Sequence, residues 1–173
     1  SKFINLINQI PMRKIYSLIA LLLISGAVFS QSQRLVLFEE FTSENCSPCA
    51  ATNGPLNALL NANGNEVVSI KYQNNIPSAG PMYNQNVADV SNRMTYYANS
   101  YSPNGILDGN VYNDQPATLT QADISNRYGV TSPFTVTITH AINGTSVDVT
   151  AVVKMTGSLP TTGLVARFAI IER

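Results

Sequence analysis

The sequence predicts an α/β domain over residues 31–129 followed by a shorter β-rich segment over residues 130–173. Three observations carry this reading. Between Arg34 and Gln73, two short apolar runs flank a stretch of helical spacing, the order of a βαβ unit. Two cysteines, Cys46 and Cys49, stand where the first strand gives way to the helix. From Val130 the helical spacing ends and strand-like alternation begins, with Asn143–Gly144 as its turn.

With 173 residues, 45% of them hydrophobic, the chain can bury one core and begin a second. Lysine plus arginine and aspartate plus glutamate balance at 10 each, so neither a nucleic acid nor an anionic membrane surface is indicated as a partner. Charged residues make up 12%, and abundant Asn, Ser and Thr supply an uncharged polar surface of the kind common in exported proteins. The N-terminal stretch points the same way. "MRKIYSLIALLLISGAVFSQ" starts at Met12 with Arg13 and Lys14, continues through an apolar run from Ile15 to Leu23, and ends in small residues. That is the order of a secretory signal, with Val28 and Ser30 suiting the −3 and −1 positions and cleavage expected after Ser30. The apolar run is shorter than the roughly 20 residues a spanning helix needs. Residues 1–30 are thus read as an upstream extension, 1–11, plus this signal. The protein is expected to work outside the cytoplasm, where disulfides persist.

Each element follows from local pattern. "RLVLFEEF" (34–41) is a short apolar and aromatic run that reads as a strand. After the cysteines, Leu56, Leu59 and Leu60 fall at helical spacing and Gly64 is a stop, while Gly54–Pro55 should kink or divide the helix. "EVVSIKYQ" (66–73) is rich in β-branched residues and predicts a second strand. "NNIPSAGPMYNQ" (74–85) reads as a loop, and residues 86–101 as a helix with Val87, Val90, Met94 and Tyr97 on one face. Ile106–Leu107 and Val111–Tyr112 are short strands around a turn at Asp108–Gly109. Residues 118–129 read as a last helix, closed by Gly129. Beyond it, "GLVARFAIIER" offers a third strand to the β-rich segment, too few for an independent sandwich, so a truncated sandwich is expected.

Cys-x-x-Cys following a strand within a βαβ pattern is the sequence cue for thioredoxin-like redox chemistry. A cysteine at a helix N-terminus has its thiolate stabilised by unpaired backbone N–H groups and the positive end of the dipole. A second cysteine three residues on lies one turn into the helix, where it can resolve a mixed disulfide formed by the first. Cys46 is expected to be the more exposed, attacking sulfur and Cys49 the resolving one, with Pro48 suited to an early helical position. Glu40, six residues before Cys46, can sit beneath the sulfurs as a proton acceptor, or be an ordinary exposed strand-end glutamate. Pro103, before a strand, can place backbone beside the disulfide if its peptide bond is cis. Zinc is disfavoured, because a closed site wants four ligands and the chain adds one histidine, His140, to the two cysteines. "DGNVYND" (108–114) lacks the later glycine and glutamate of a calcium loop. No metal or other cofactor is expected. The same pair can also be a structural disulfide that never turns over, and the spacing alone leaves both readings open.

"LVLFEEFTSENCSPC", "VVSIKYQ", "RMTYYANSYSPNGILDG" and the β-rich continuation resemble the outer-membrane-protein-28-related family of exported bacterial proteins. The resemblance implies a thioredoxin-like domain followed by an immunoglobulin-like β-domain, here truncated, and covers nearly all of residues 34–173. It implies that Cys46 and Cys49 are the family's paired cysteines. By it, Pro103 matches the proline that thioredoxin folds hold in cis, and Asp108–Gly109 matches the turn after the next strand. Glu40 falls at the position of thioredoxin's buried acid. Two residues depart from thioredoxin: no tryptophan precedes Cys46, and Ser47–Pro48 stands where thioredoxin has Gly-Pro. Protein thiols or disulfides are the partners implied, in the periplasm, at the outer membrane or outside the cell. The rival is a non-catalytic surface protein in which the thioredoxin-like domain is a scaffold.

Overall fold

The structure, a computed structural model, describes residues 32–109, 111–159 and 162–171. The expected signal and its cleavage position lie outside the described residues. The chain divides into two compact units: one holds Ser32–Ser132 with the described residues from Leu159 onward, the other holds residues 133–158.

The first unit is a mixed α/β layer structure. Its four-stranded sheet runs in the order β2-β1-β3-β4. Strand β1 (Val36–Thr42) lies parallel to β2 (Val67–Gln73), in register from Val36 opposite Val67 to Thr42 opposite Gln73. Parallel neighbours need a crossover, which helix α1 (Ser47–Ala62) supplies. Strand β3 (Asn104–Leu107) runs antiparallel to β1, with Phe41 opposite Asn104, and β4 (Tyr112–Asp114) runs antiparallel to β3.

Central position explains the apolar reading of β1, because both its faces are covered. Val36 and Phe38 enter a core with Leu56 and Leu60 of α1, Val67, Leu107 and Ile124. Alternation sends Glu39 and Phe41 to the other face, against Tyr72 and Tyr97. Of the kink or division expected at Gly54–Pro55, the division does not occur: helix α1 is continuous through Pro55. Pro55 lies on the exposed side, so the missing N–H is lost facing water while Leu56 and Leu60 stay buried one turn apart.

The stretch expected to be a loop contains a short helix, α2 (Pro81–Gln85). Helix α3 (Val87–Tyr96) ends earlier than expected, as the chain turns through Ala98, at φ 50°, toward Pro103. Asp108 and Gly109 both take positive φ, 46° and 88°, between β3 and β4. Asp108 also accepts from the Leu37 N–H at 2.9 Å and pairs with Arg34 and Arg127, so the turn residue is a fastening point for β1 and the last helix. That helix, α4 (Gln121–Tyr128), starts with a reciprocal capping box between Thr120 and Asp123.

The second unit is one antiparallel hairpin, β5 (Phe134–Asn143) and β6 (Ser146–Met155). Its connection is Gly144–Thr145, one residue later than expected, with Gly144 at φ 62°. The third strand expected in residues 163–171 does not form. An extended segment becomes a strand only when a neighbouring edge takes up its N–H and C=O groups, and among the described residues none pairs with it. The sandwich expectation therefore reduces to a two-stranded sheet.

Candidate functional site

At the end of β1 the chain turns through Ser43, Glu44 and Asn45, and the Cys46 N–H closes that turn onto the Ser43 carbonyl at 3.1 Å. Cys46 is the N-cap of α1, with Pro48 in the first turn, and its Sγ accepts the Cys49 N–H at 3.2 Å. This is the capping role normally given to a side-chain oxygen. No acidic residue lies in the first turn of the helix. Cys46 and Cys49 are joined as a disulfide, with Cα atoms 5.2 Å apart. Both are buried, at 4% and 1% exposure. Cys46 is the more exposed of the two by a small margin, but its sulfur turns back over the first helical turn, where it meets the Cys49 N–H, instead of out into water.

Pro103 is placed by register. Asn104 lies opposite Phe41, so Pro103 precedes β3 at the same end of the sheet from which the cysteine turn leaves β1. The Ser102–Pro103 peptide bond is cis and Pro103 is buried. A second cis bond, Ile76–Pro77, lies in the loop after β2. That loop is fastened to the cysteine turn, since Asn45 Nδ2 donates to Ser78 Oγ at 3.1 Å and the Met82 N–H donates to Glu44 Oε1 at 2.8 Å.

Glu40 is fully buried, at 0% exposure, so the exposed strand-end alternative is corrected. It follows Val36 and Phe38 along β1 onto the face that α1 covers, and parallel register sets Lys71 beside it. Lys71 Nζ stands 2.8 Å from Glu40 Oε2 and donates its hydrogen bond to Asn53 of α1 at 2.9 Å. Among the described residues neither Glu40 oxygen receives a hydrogen bond, so the pair is a charge contact with unused lone pairs on the carboxylate. Sequence reasoning missed Lys71, although a lysine inside "VVSIKYQ" is the kind of signal that marks a buried partner.

Glu39, on the opposite face, has the contrary surroundings. Arg93 grips it with two hydrogen bonds of 2.7 Å, and the hydroxyls of Tyr72 and Tyr97 donate at 2.9 and 2.5 Å. Burial pushes the Glu39 carboxyl up, but the hydrogen bonds from Arg93, Tyr97 and Tyr72 outweigh it and hold the group below its ordinary value. Burial, with the Glu39 charge, raises the Tyr72 phenol to about 12. This cluster fastens α3 to the sheet. A groove of about 1650 Å³ runs along the β2 edge beside it, and none of Cys46, Cys49, Pro103 or Glu40 lines it.

Among the described residues, no group of three or more His, Cys, Asp or Glu side chains is placed to hold a metal, and no helix is long and apolar enough to cross a membrane. No family model, curated protein or solved structure matches the chain.

Proposed function

We propose that the first unit is a thioredoxin-like domain and that Cys46 and Cys49 cycle between disulfide and dithiol in exchange with protein thiols or disulfides. The observation that carries the proposal is the disulfide itself, held across the first turn of a helix that leaves the central strand of a β2-β1-β3-β4 sheet. Pro103 at the same sheet end and a buried carboxylate on the α1 face of that strand add support.

In the reducing direction, the Cys46 thiolate attacks one sulfur of a substrate disulfide. A mixed disulfide forms and the other substrate sulfur leaves as a thiolate. Cys49, losing its proton to Glu40, then attacks Cys46 Sγ. The Cys46–Cys49 bond forms, the second substrate thiol leaves, and two electrons have passed to the substrate. Lys71 beside Glu40 holds charge balance while the carboxylate gains and loses that proton. The oxidising direction is the same sequence reversed.

A second reading has one observation in its favour. Cys46 is buried, which suits a structural staple in a scaffold whose binding surface lies elsewhere. Catalysed reduction of insulin disulfides by dithiothreitol separates the two readings. Turnover that disappears in Cys46→Ser supports the redox reading, and a rate no greater than dithiothreitol alone supports the scaffold. We further propose an exported protein of the outer-membrane-protein-28-related kind, acting in the periplasm, at the outer membrane or outside the cell. The signal-like sequence at 12–30 and the disulfide support this.

A further inference from the structure

Two buried asparagines bracket Pro103. Asn74, at 1% exposure, is bonded through its backbone N–H and both ends of its side-chain amide. Its backbone N–H continues the ladder to the Thr42 carbonyl at 2.7 Å. Its Oδ1 accepts the Ile76 N–H at 3.0 Å, and its Nδ2 donates to Ser102 Oγ at 2.7 Å. One side chain thus ties the ends of β1 and β2 to the residue before Pro103. On the other side, Asn104 Nδ2 donates to Asn99 at 2.7 Å and Asn113 at 3.1 Å, while its Oδ1 accepts the Tyr101 hydroxyl at 3.0 Å. The segment from Tyr101 to Asn104 is therefore held from both ends by directed hydrogen bonds that converge on two buried amides, Asn74 and Asn104, an arrangement that costs stability if either is lost.

Such a fixed segment beside the cysteine turn suits a substrate that touches the protein beyond its sulfurs. A small dithiol meets only the disulfide, whereas a polypeptide lays backbone along the neighbouring wall, and a wall already in place spares the ordering cost on binding. We infer that Asn74 and Ser102 are positioning residues that hold the Pro103 segment for a polypeptide disulfide. The inference rests on the redox reading and adds to it the residues that hold the wall beside the disulfide.

The test uses the full chain, with dithiothreitol as electron donor and a disulfide-linked peptide pair as acceptor. Dithiothreitol reduces Cys46–Cys49, and the resulting dithiol passes two electrons to the peptide disulfide. Asn74→Ala and Ser102→Ala should each raise KM for the peptide about fivefold, the worth of one hydrogen bond near 1 kcal/mol. The double variant should be no worse than either single one. The rate at which dithiothreitol reduces the protein's own disulfide should stay unchanged in all three. Should Asn74→Ala fail to fold, Ser102→Ala, at a half-buried site, decides the matter. Unchanged KM, additive losses, or an equal slowing of the dithiothreitol step overturns the inference and leaves the redox reading standing. A wild-type chain without turnover overturns both.

Discussion

Glu39 and Glu40 are neighbours in sequence with opposite surroundings, because a strand sends successive side chains to opposite faces. Glu39 is saturated: a forked arginine and two phenols fill its lone pairs. Its folded-state carboxyl lies below the ordinary 4.5, so its stabilisation is complete above that pH and is lost as pH falls through the lowered value. Denaturant unfolding from neutral pH down to about pH 3 should show this loss in the wild type and a shallower one in Glu39→Gln. Equal slopes would contradict the assignment. Arg93→Ala, which leaves a buried carboxylate without its cation, should cost about 3 kcal/mol in the same assay. Glu40, by contrast, has unfilled lone pairs and one cation at its side. Glu40→Gln should slow resolution of the mixed disulfide by about a hundredfold, the usual worth of a positioned base, with the first attack unaffected. Quenched-flow trapping of the mixed disulfide measures this, and equal lifetimes in both proteins would remove Glu40 from the mechanism.

At the level of elements, close approach and helix continuity decide two further outcomes. A Cβ on Gly105 would fall 2.8 Å from the buried Phe38 ring and 3.4 Å from Pro116. Gly105→Ala should therefore destabilise by about 1–3 kcal/mol through overpacking. Pro55 costs α1 a hydrogen bond on its exposed side. Pro55→Ala should raise the unfolding midpoint, by up to about 3 kcal/mol in stability. Thermal unfolding followed by circular dichroism checks both substitutions. The elements also show what was legible in the sequence. Strands β1 and β2 were read within two residues from their apolar runs, because burial of whole strands leaves a local signal. The division of α1 that Pro55 suggested does not occur, since propensity is a local cost and the core contacts of Leu56 and Leu60 are tertiary gains. Residues 163–171 misled the reading the other way: their pattern is strand-like, but a strand also needs an edge to pair with.

The whole molecule joins units of different quality. In the first, a central strand is covered on both faces, and each of its two buried carboxylates has a cation at its side. In the second, register collects Val136, Ile138, Ile142, Val147, Val149, Val153 and Met155 on one face of a lone hairpin, each between 49% and 70% exposed. A two-stranded sheet of this kind is marginal in water. Hydrogen exchange should accordingly find β5 and β6 amides open at little cost while those of β1 and β3 exchange only through far rarer openings. Comparable protection in both units would contradict that division. The site was legible to the same depth as the fold around it. The cysteine pair, Glu40 and Pro103 could be named as candidates from the sequence because each lies near the end of a legible strand. Lys71, Asn74 and Ser102 could not be assigned partners, because their meeting depends on parallel register and on the path of a loop after β2.

The central claim is that Cys46 is an activated nucleophile despite its burial in the disulfide form. The direct test is the pH dependence of Cys46 alkylation in the reduced protein, with Cys49→Ala as background so that one thiol is followed. The account predicts a midpoint within the range of about 3.5–7.5 shown by cysteines activated at helix N-termini. A midpoint at or above the ordinary value of about 8.5 would contradict it and leave the pair as a structural staple.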